Sequence, residues 1–488
     1  MSVEVNAIAA RLREMGLLLR TRGELPARVE EVTDDSRAVR PGWLFVAVRG
    51  SARDGHEYLP AVASQGATAA IVEDESATTL PALVVSDARR AAAAAAAVRH
   101  GDPARRLTLV GVTGTNGKTT TVGLLRHLLD DASARAASIG TLGVLVGSEG
   151  TPLDGGSGLT TPGPIELQRV LAELVARGVH TVAMEVSSHS LHQRRVEGLR
   201  FAAGVFTNLT RDHLDYHGTM EEYFAAKALL VGLLTDNGAA VVNADDDAWR
   251  ALPAAPRRLT FSAEGRDADV RALDVRYRPR GSEWTLAVGG TRAPVRLPLI
   301  GAFNVANALG AAAAALALGR DAADLARRLG VAPQVPGRLE LLSDSPAVLR
   351  DYAHTPDALE RALDAVRPFA TKRLIVVFGA GGDRDKGKRP VMGGIAARKA
   401  DVAIVTSDNP RTEDPERILD DIEAGMNGRP HERIEDRHAA IARALEIAGP
   451  DDVVVLAGKG HETYQIRGTV KHHFDEKEIV HELTAGKR

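Results

Sequence analysis

Short apolar runs alternate with segments of helical periodicity along most of this 488-residue chain. The runs at 107–112, 182–186, 203–206 and 239–242 have the length and apolar character of buried strands. Helical patterns fill the intervals between them, and one of these, at 119–129, follows a glycine-rich turn. Alternation of this kind is typical of a parallel sheet with crossover helices, so the pattern predicts an α/β fold.

The same pattern divides the chain into three parts, as its length requires, because one hydrophobic core stops growing at roughly 250–300 residues. Apolar strands at 43–48 and 82–86 lead to an alanine-rich helix and then to the linker-like His100-Gly-Asp-Pro103. A proline- and glycine-containing segment at 331–338 marks a second boundary. We therefore predict an N-terminal α/β domain over 1–102, a central domain with a mainly parallel sheet over 103–333, and a C-terminal domain over 334–488.

Two further patterns refine the central and C-terminal domains. Residues 270–299 are β-like and predict hairpins at a sheet edge, and residues 302–318 predict a long helix. Strand and helix patterns then alternate again, with apolar runs at 374–378, 402–406 and 453–457. The C-terminal domain is therefore expected to be a Rossmann-like α/β domain.

Composition narrows the class of protein. The formal net charge of -3 and the lack of any lysine- or arginine-rich block give no indication of nucleic-acid binding. With 0 cysteines, a metal could bind only to oxygen or nitrogen ligands. No apolar run reaches the roughly 20 residues that span a bilayer, and the N-terminus lacks the pattern of a signal peptide. We therefore expect a cytoplasmic enzyme without a membrane span.

A phosphate-binding loop is predicted at Gly114-Thr-Asn-Gly-Lys-Thr-Thr120, between a strand and a helix. Glycines at such a turn let backbone N–H groups approach phosphate oxygens, and the lysine supplies a positive charge. The Thr119 hydroxyl is suited to bind Mg²⁺. A common P-loop has a further glycine where this chain has Val112, which disfavours a GTPase or a generic ATPase.

This loop resembles that of the Mur ligases and of the related folylpolyglutamate synthetases. Further blocks resemble Mur ligase motifs and follow in the expected order between Asp34 and Glu462; they are Met184–His189, Thr207–His217, Gly301–Asn304, Pro336–Arg338, Asp351–His354 and Gly458–Glu462. The resemblance covers most of the chain, and an ordered set of this kind does not arise by chance. It implies a UDP-binding N-terminal domain, an ATPase central domain and a C-terminal domain that binds the added amino acid.

The resemblance also implies the ATP and Mg²⁺ sites. The residues implied for ATP are Gly114, Thr115, Asn116, Gly117, Lys118, Thr119, Thr120, Asn304, Arg338, Asp351 and His354. The implied catalytic residues are Lys118, Glu185, His213 and Lys227. Thr119, Glu185, His213 and a carbamylated Lys227 are the implied Mg²⁺ ligands.

The implied substrates are small molecules. By resemblance, a UDP-linked muramoyl dipeptide contacts Asp34, Ser36, Ser51, Thr160, Thr161, Ser187, Gln193 and Arg195. The motif Asp408-Asn-Pro-Arg411 is similar to the recognition motif of the diaminopimelate-adding members, whose substrate has a distal carboxylate that an arginine can bind in bidentate fashion. The amino-acid residues implied are Arg389, Asp408, Asn409, Pro410, Arg411, Gly458 and Glu462.

These implications give an expected reaction. ATP phosphorylates the D-Glu side-chain carboxylate, and the amine of diaminopimelate displaces phosphate from the resulting acyl phosphate. The alternatives are a sister ligase that adds lysine, a secondary-metabolite ligase on the same scaffold, and a nucleotide-dependent binding or switch protein. A monomer is expected, and the sequence does not distinguish meso- from LL-diaminopimelate.

Overall fold

A computed structural model describes residues 2–50, 53–153, 158–278 and 280–485. These fall into two units. One contains residues 1–271, 287–292 and 306–328, and the other contains 272–286, 293–305 and 329–488. The first unit holds the N-terminal sheet and the parallel strands of the central sheet, and the second holds the C-terminal sheet and most of the strand residues between 272 and 297.

The N-terminal part is a sheet covered by helices on both faces. Its elements are β1 (Val3–Glu4), α1 (Val5–Glu14), β2 (Leu18–Arg22), β3 (Arg28–Val29), β4 (Val32–Thr33), β5 (Leu44–Val46), α2 (Leu59–Ser64), β6 (Ala69–Val72), β7 (Ala82–Val85) and α3 (Ala88–Arg99). The strand order is β2-β7-β6-β5-β4, in which only β2 runs antiparallel to its neighbour. The alanines of α3 are buried because this helix packs against both α1 and the central helix α5 (Pro164–Ala176).

The central part is built on a mainly parallel sheet, as predicted. Its first elements are β8 (Thr108–Thr113), α4 (Lys118–Leu129), β9 (Arg135–Gly140), β10 (Gly143–Val146), β11 (Thr151–Leu153), α5, β12 (Val179–Glu185), α6 (Ser188–His192), β13 (Phe201–Phe206), α7 (Leu214–His217), α8 (Met220–Ala228), β14 (Leu234–Asn243) and β15 (Arg257–Ser262). The strand order is β11-β10-β9-β12-β8-β13-β14-β15, and every pair from β9 to β15 is parallel. The carboxyl ends of β8, β12 and β13 are therefore neighbours, which is where parallel sheets bind ligands.

The predicted hairpin region forms β16 (Val270–Arg278), β17 (Gly281–Val288) and β18 (Thr291–Leu297), which are consecutive neighbours in strand order. The first residues of β16 pair in parallel with β15. The predicted long helix is α9 (Ala302–Ala317), and α10 (Ala322–Leu329) follows it.

The C-terminal part is a second, mainly parallel sheet. Its elements are β19 (Glu340–Asp344), β20 (Ala347–Asp351), α11 (Pro356–Val366), β21 (Leu374–Phe378), α12 (Lys388–Lys399), β22 (Val402–Val405), α13 (Pro415–Glu423), β23 (Glu432–Arg433), α14 (Arg437–Ile447), β24 (Val453–Ala457), β25 (Tyr464–Arg467), β26 (Val470–His473) and α15 (Glu476–Ala485). The order is β19-β20-β24-β21-β22-β23, parallel except at β19. Its two faces bury separate apolar clusters.

The structure confirms the predicted α/β fold with N-terminal, central and C-terminal parts. The boundaries after residues 102 and 333 remain predictions. Among the described residues, no helix has both the length and the apolar character needed to cross a membrane.

Candidate active site

The predicted phosphate loop connects β8 to α4, and it is held open by glycines that no other residue can replace. Gly114 has φ 147° and Gly117 has φ 84°. A Cβ atom would collide with the Thr207 hydroxyl at Gly114 and with the Asn307 side chain at Gly117. The loop also rests on the segment after β13, because Thr115 N donates to Asn208 O at 2.8 Å. The turn is therefore built by two neighbouring strand ends.

Two lysines converge on one carbonyl of this loop. The Lys118 ammonium donates to Gly114 O at 2.9 Å and to Thr115 O at 2.8 Å, and the Lys227 ammonium donates to Gly114 O at 2.7 Å. Lys227 lies on α8, is 1% exposed, and has its ammonium 4.4 Å from the centroid of the Tyr223 ring. Burial lowers the pKa of Lys227 well below its usual range, and the positive charge of Lys118 lowers it further. Burial and the neighbouring Lys118 charge both disfavour the protonated form of Lys227.

Glu185 occupies the carboxyl end of β12, where its side chain is buried. Its Oε1 accepts from Thr141 N at 2.8 Å, and its Oε2 accepts from the Thr141 hydroxyl at 3.3 Å. Gly140 allows this approach, since a Cβ there would collide with the carboxylate. A buried carboxylate that accepts hydrogen bonds from neutral donors is well suited to a cation.

His213 lies on the loop after β13 and begins the short helix α7. Its backbone is left-handed, with φ 53°, and its ring packs edge-on against His189 with centroids 4.8 Å apart. Burial lowers the pKa of His213, Asp212 opposes that shift, and Lys118 and Lys227 add to it. A neutral imidazole is the form that binds a metal.

The predicted Mg²⁺ ligands do not form a closed protein cage. Within the described ranges, no group of three or more histidines, aspartates or glutamates has the geometry of a metal site. Mg²⁺ usually keeps several waters and binds through one or two protein groups together with substrate phosphates. Glu185, the Thr119 hydroxyl and the His213 imidazole are an oxygen and nitrogen set of the kind that such an open site uses.

The residues predicted to hold the muramoyl dipeptide meet in one hydrogen-bond network beside Glu185. Arg195 donates to Thr161 O at 3.1 Å and to Gln193 Oε1 at 3.0 Å, and the Thr161 hydroxyl donates to Glu185 O at 2.9 Å. Ser187 caps α6, and its hydroxyl lies 3.4 Å from that of Thr161. Tyr216 lies in the Thr207–His217 block but was not among the predicted site residues, and its hydroxyl accepts from Gln193 Nε2 at 3.1 Å. Thr160 joins the network through a 3.4 Å contact between its hydroxyl and that of Thr141.

Three of the residues predicted to contact the UDP-linked substrate, Asp34, Ser36 and Ser51, belong to the N-terminal part. Asp34 is exposed and Ser36 is half-buried, and both follow β4 directly. Ser51 lies outside the described residues. The predicted roles of these residues stay predictions.

Three of the residues predicted to contact ATP, namely Arg338, Asp351 and His354, lie near Tyr352 in the second unit. Arg338 lies 4.9 Å from the Tyr352 ring centroid, and His354 Nδ1 is 2.8 Å from Tyr352 O. Asp351 accepts from Leu339 N at 2.8 Å, and burial raises the pKa of Asp351 to about 6, although Arg338 opposes the shift. Asn304, on the first turn of α9, is buried and donates to Ile300 O at 2.8 Å.

The predicted amino-acid residues come together after β22 and β24 in the second unit. Asn409 Nδ2 donates to Glu462 Oε2 at 2.9 Å. Gly458 has φ 119°, and a Cβ there would collide with the Asp408 carboxylate. The side chain of Lys459, which the sequence analysis missed, is fully buried and donates to Asn409 Oδ1 at 3.2 Å and to Glu462 Oε2 at 3.4 Å. Its position next to Gly458 was the only available signal.

The two predicted arginines of this site differ. Arg411 follows Pro410, has φ 54°, and donates through Nη1 to Gly382 O at 2.7 Å. Arg389 is fully buried and donates to Glu413 Oε1 at 2.9 Å and to Asp421 Oδ2 at 2.9 Å. The predicted role of Arg389 in binding the amino acid stays a prediction, and its guanidinium is paired with Glu413 and with the half-exposed Asp421.

Arg384, which was not among the predicted site residues, lies in the same neighbourhood. It is exposed, and the Arg384 and Arg411 side chains both lie within 4 Å of the position that a Cβ on Gly381 would take. An exposed arginine is indistinguishable from a buried one by sequence alone, and the two lie only a few positions apart.

Comparison with known proteins agrees with this arrangement. Three family descriptions match in order: "Mur ligase family, catalytic domain" over 28–107, "Mur ligase middle domain" over 112–315, and "Mur ligase, glutamate ligase domain" over 337–460. The chain is 45% identical over 464 residues to a UDP-N-acetylmuramoyl-L-alanyl-D-glutamate--2,6-diaminopimelate ligase of Gloeobacter violaceus, covering 94% of each chain. It is 46% identical to the protein of the same description in Chlorobaculum tepidum, covering 96% of this chain and 95% of that one.

A solved structure of a UDP-N-acetylmuramoyl-L-alanyl-D-glutamate--2,6-diaminopimelate ligase has the same fold. It superposes with a TM-score of 0.69 at 34% identity, covering 96% of this chain and 97% of that chain. The family matches, the near full-length relatives and the placement of the predicted motifs at strand ends lead to one conclusion. This chain belongs to the Mur ligase family.

Proposed function

We propose that this chain is an ATP-dependent ligase that joins diaminopimelate to the D-Glu side-chain carboxylate of UDP-MurNAc-L-Ala-D-Glu, in the synthesis of cell-wall precursors. One observation carries the proposal, namely the cluster of opposite charges at the carboxyl ends of β22 and β24. Arg411 offers positive charge there, Asp408 and Glu462 offer negative charge, and the exposed Arg384 follows β21, the strand between these two. Diaminopimelate has an ammonium and a carboxylate at each end, so a site that recognises its distal end needs both charges.

The phosphate loop is suited to the first chemical step. Transfer of a phosphoryl group to a carboxylate brings several negative charges together, and catalysis depends on holding them with cations and N–H donors. Lys118 now bonds two carbonyls of its own loop, at 2.8 and 2.9 Å, and nucleotide phosphates are stronger acceptors than those carbonyls. We infer that Lys118 exchanges these bonds for ATP phosphate oxygens.

Mg²⁺ would be held by the Thr119 hydroxyl, Glu185 and His213, and when bound it would neutralise charge on the phosphates. Lys227 is suited to become an anion that supports the Mg²⁺ site. The first 371 residues contain two lysines, Lys118 and Lys227, and every other cationic side chain there except histidine is arginine. Arginine cannot lose its proton, whereas a buried lysine can, and a neutral amine can add CO₂ to form a carbamate and release a proton. We propose that Lys227 is used in this form.

In the second step the free amine of diaminopimelate attacks the acyl phosphate and phosphate leaves. Asp408, Asn409 and Glu462 can accept hydrogen bonds from the ammonium at the recognised end, and Arg384 and Arg411 can bind its carboxylate. The other amine is the nucleophile and must arrive neutral. We further propose that the enzyme acts as a monomer in the cytoplasm on these small substrates, and analytical ultracentrifugation tests the monomer.

The main alternative is a sister ligase that adds lysine. Lysine has no distal carboxylate, so Arg411 and Arg384 would have no carboxylate to bind if lysine were the substrate. The test is phosphate release from ATP in the presence of UDP-MurNAc-L-Ala-D-Glu with meso-diaminopimelate, LL-diaminopimelate, lysine or no amino acid. Release that requires a diaminopimelate is expected, and its stereochemical preference is measured in the same experiment. Release that is indifferent to every amino acid would refute the ligase proposal.

A further inference from the structure

A fully buried ion pair lies directly behind the proposed amino-acid site. Arg437, the first residue of α14, and Glu476, the first residue of α15, both have side chains with 0% exposure. The Arg437 guanidinium donates to Glu476 Oε1 through Nε at 2.8 Å and lies 2.7 Å from it through Nη2. Burying two charges is costly, and such a pair stabilises a fold no better than apolar side chains of the same volume. Fold stability alone therefore does not explain an arginine here.

The remaining donors of Arg437 contact the two chain segments that lead into the site. Nη2 donates to Ala457 O at 2.9 Å, and Nη1 lies 3.5 Å from Ser407 O. Ala457 immediately precedes Gly458, and Ser407 immediately precedes Asp408. One planar group thus contacts the last residue before each of the two amino-acid-binding segments.

The sheet itself does not hold these two segments together. In the strand order, β21 lies between β24 and β22, so no ladder hydrogen bond joins the two strands. A second contact strengthens the connection on one side, because Ser407 N donates to Glu435 O at 3.1 Å and Ser407 Oγ donates to Glu435 Oε1 at 2.8 Å. Glu435 is two residues before Arg437. The start of α14 therefore acts as a bridge between the ends of two strands that are not neighbours.

We propose that Arg437 is a positioning residue for the amino-acid substrate. It sets the spacing between the Asp408–Arg411 segment and the Gly458–Glu462 segment, and Glu476 connects that spacing to the C-terminal helix α15. The assignment of these segments to the amino acid rests on the proposed function above. Arginine is required because a lysine ammonium has no planar fork to reach two carbonyls and a carboxylate together.

The same sheet provides a matched control at its opposite end. Asp452, whose side chain is 2% exposed, accepts from Arg373 N at 2.9 Å and from Arg373 Nη2 at 2.7 Å. These residues precede β24 and β21, so the pair joins the starts of strands rather than their ends. Its loss is expected to destabilise the same domain without moving the amino-acid site.

The test compares Arg437→Lys, Arg437→Met and Glu476→Gln with Asp452→Asn in the full-length protein, by thermal midpoint and by the KM for each substrate. We expect Arg437→Met to raise the KM for the amino acid about tenfold or more, because small displacements of binding groups have effects of this size. The KM values for ATP and for the UDP-dipeptide should change less than about twofold, and Arg437→Lys and Glu476→Gln should give an intermediate rise. Asp452→Asn should lower the thermal midpoint and leave the KM for the amino acid unchanged.

Two results would overturn the inference. One is an unchanged KM for the amino acid in folded Arg437→Lys and Glu476→Gln, and these two variants decide the matter if Arg437→Met does not fold. The other is an equal rise of that KM in Asp452→Asn at a similar thermal midpoint. Both differ from failure of the proposed function, which appears in the wild-type protein as phosphate release that does not depend on any amino acid.

Discussion

The phosphate loop and the amino-acid site balance their charges in opposite ways. At the loop, Lys118 and Lys227 share the carbonyl of Gly114, and the pKa of Lys227 is lowered as a result of burial and of this neighbour. At the amino-acid site, Lys459 is also fully buried, but it contacts Glu462 and Asn409, which accept its hydrogen bonds. At the first site two lysines share one carbonyl and an anion can bind, whereas at the second the buried lysine is already balanced by a glutamate before any substrate arrives.

The difference indicates what each region does. A cation that donates to carbonyls gains strongly from a polyphosphate, so binding and catalysis at the loop depend on the ligand. A polar cluster whose charges are already balanced has a fixed shape instead. Such a site discriminates between substrates, because a wrong ligand leaves buried groups without partners.

The largest effect is expected for Lys118→Met. This change removes the charge that stabilises the transferred phosphoryl group, and we expect kcat/KM to fall about 10³-fold or more. The thermal midpoint should stay the same or rise, since Lys227 loses a like charge nearby. Amino-acid-dependent phosphate release and a melting curve measure both, with Lys372→Met, an exposed lysine paired with Asp451, as the control. A fall in stability equal to that of a core defect would contradict the repulsion between the two lysines.

Lys227→Met and Lys227→Arg should both lower kcat about 10²-fold, because neither side chain can carry a carbamate. The pH dependence of stability gives a second test, which compares the wild type with Lys227→Met. Since the folded pKa of Lys227 is lowered, the unfolded chain binds more protons than the native protein between that pKa and the ordinary value near 10.4. In bicarbonate-free buffer without nucleotide, wild-type stability should therefore rise toward pH 10 relative to Lys227→Met. A stability difference that is independent of pH would show that Lys227 titrates normally.

Arg411→Ala tests the discrimination expected of the balanced site. We expect the KM for diaminopimelate to rise about 30-fold, through loss of a charge-assisted contact with the distal carboxylate, while the KM for ATP stays unchanged. Lysine, which lacks that carboxylate, should become a relatively better substrate. The measurement is the ratio of kcat/KM for the two amino acids, and an unchanged ratio would remove Arg411 from the recognition of that carboxylate.

Arg384→Ala and Arg389→Met separate the exposed arginine from the buried one. Arg384→Ala should raise the KM for diaminopimelate about tenfold without changing the thermal midpoint. Arg389→Met should lower the free energy of unfolding, because Glu413 and the half-exposed Asp421 lose their buried partner. If Arg384→Ala has no effect on KM and folded Arg389→Met abolishes amino-acid binding, the original prediction from the sequence was the better one.

The smallest effect is a dependence of stability on acid. The hydrogen bonds that Glu413 accepts from Arg389 lower the pKa of the Glu413 carboxyl to about 2. A depressed carboxyl pKa contributes stability that is present above the unfolded value, near 4.3, and lost as pH falls toward 2. Glu413→Gln should reduce that loss, and chemical unfolding between pH 5 and pH 2.5 measures it. A pH profile identical to that of the wild type would remove Glu413 from the acid sensitivity.

Sequence predicted the phosphate loop because its signal is local. The glycines, the preceding apolar strand and the following helix are adjacent in the chain, and their structure follows the prediction. The α/β alternation also predicted the fold class, and the motifs at 408–411 and 458–462 were identified by their resemblance to Mur ligase motifs.

Other features were out of reach because they depend on contacts between distant residues. Arg384 and Arg389 are identical in type, and only the packing of α12 against α13 shows that Arg389 is the buried one. Arg437 and Glu476 are far apart in sequence, and nothing near either of them indicates a partner. The order of strands, which places β21 between β22 and β24, is likewise a tertiary property.

The most direct test of the account is a competition between diaminopimelate and lysine as the amino-acid substrate. The wild-type protein is given ATP, Mg²⁺ and UDP-MurNAc-L-Ala-D-Glu with equal concentrations of meso-diaminopimelate, LL-diaminopimelate and lysine, and the products are separated and identified by mass spectrometry. The account predicts a nucleotide-linked tripeptide that contains diaminopimelate, with little lysine product. A product that contains mainly lysine would contradict the roles given to Arg411 and Arg384, and no amide product at all would contradict the proposed reaction.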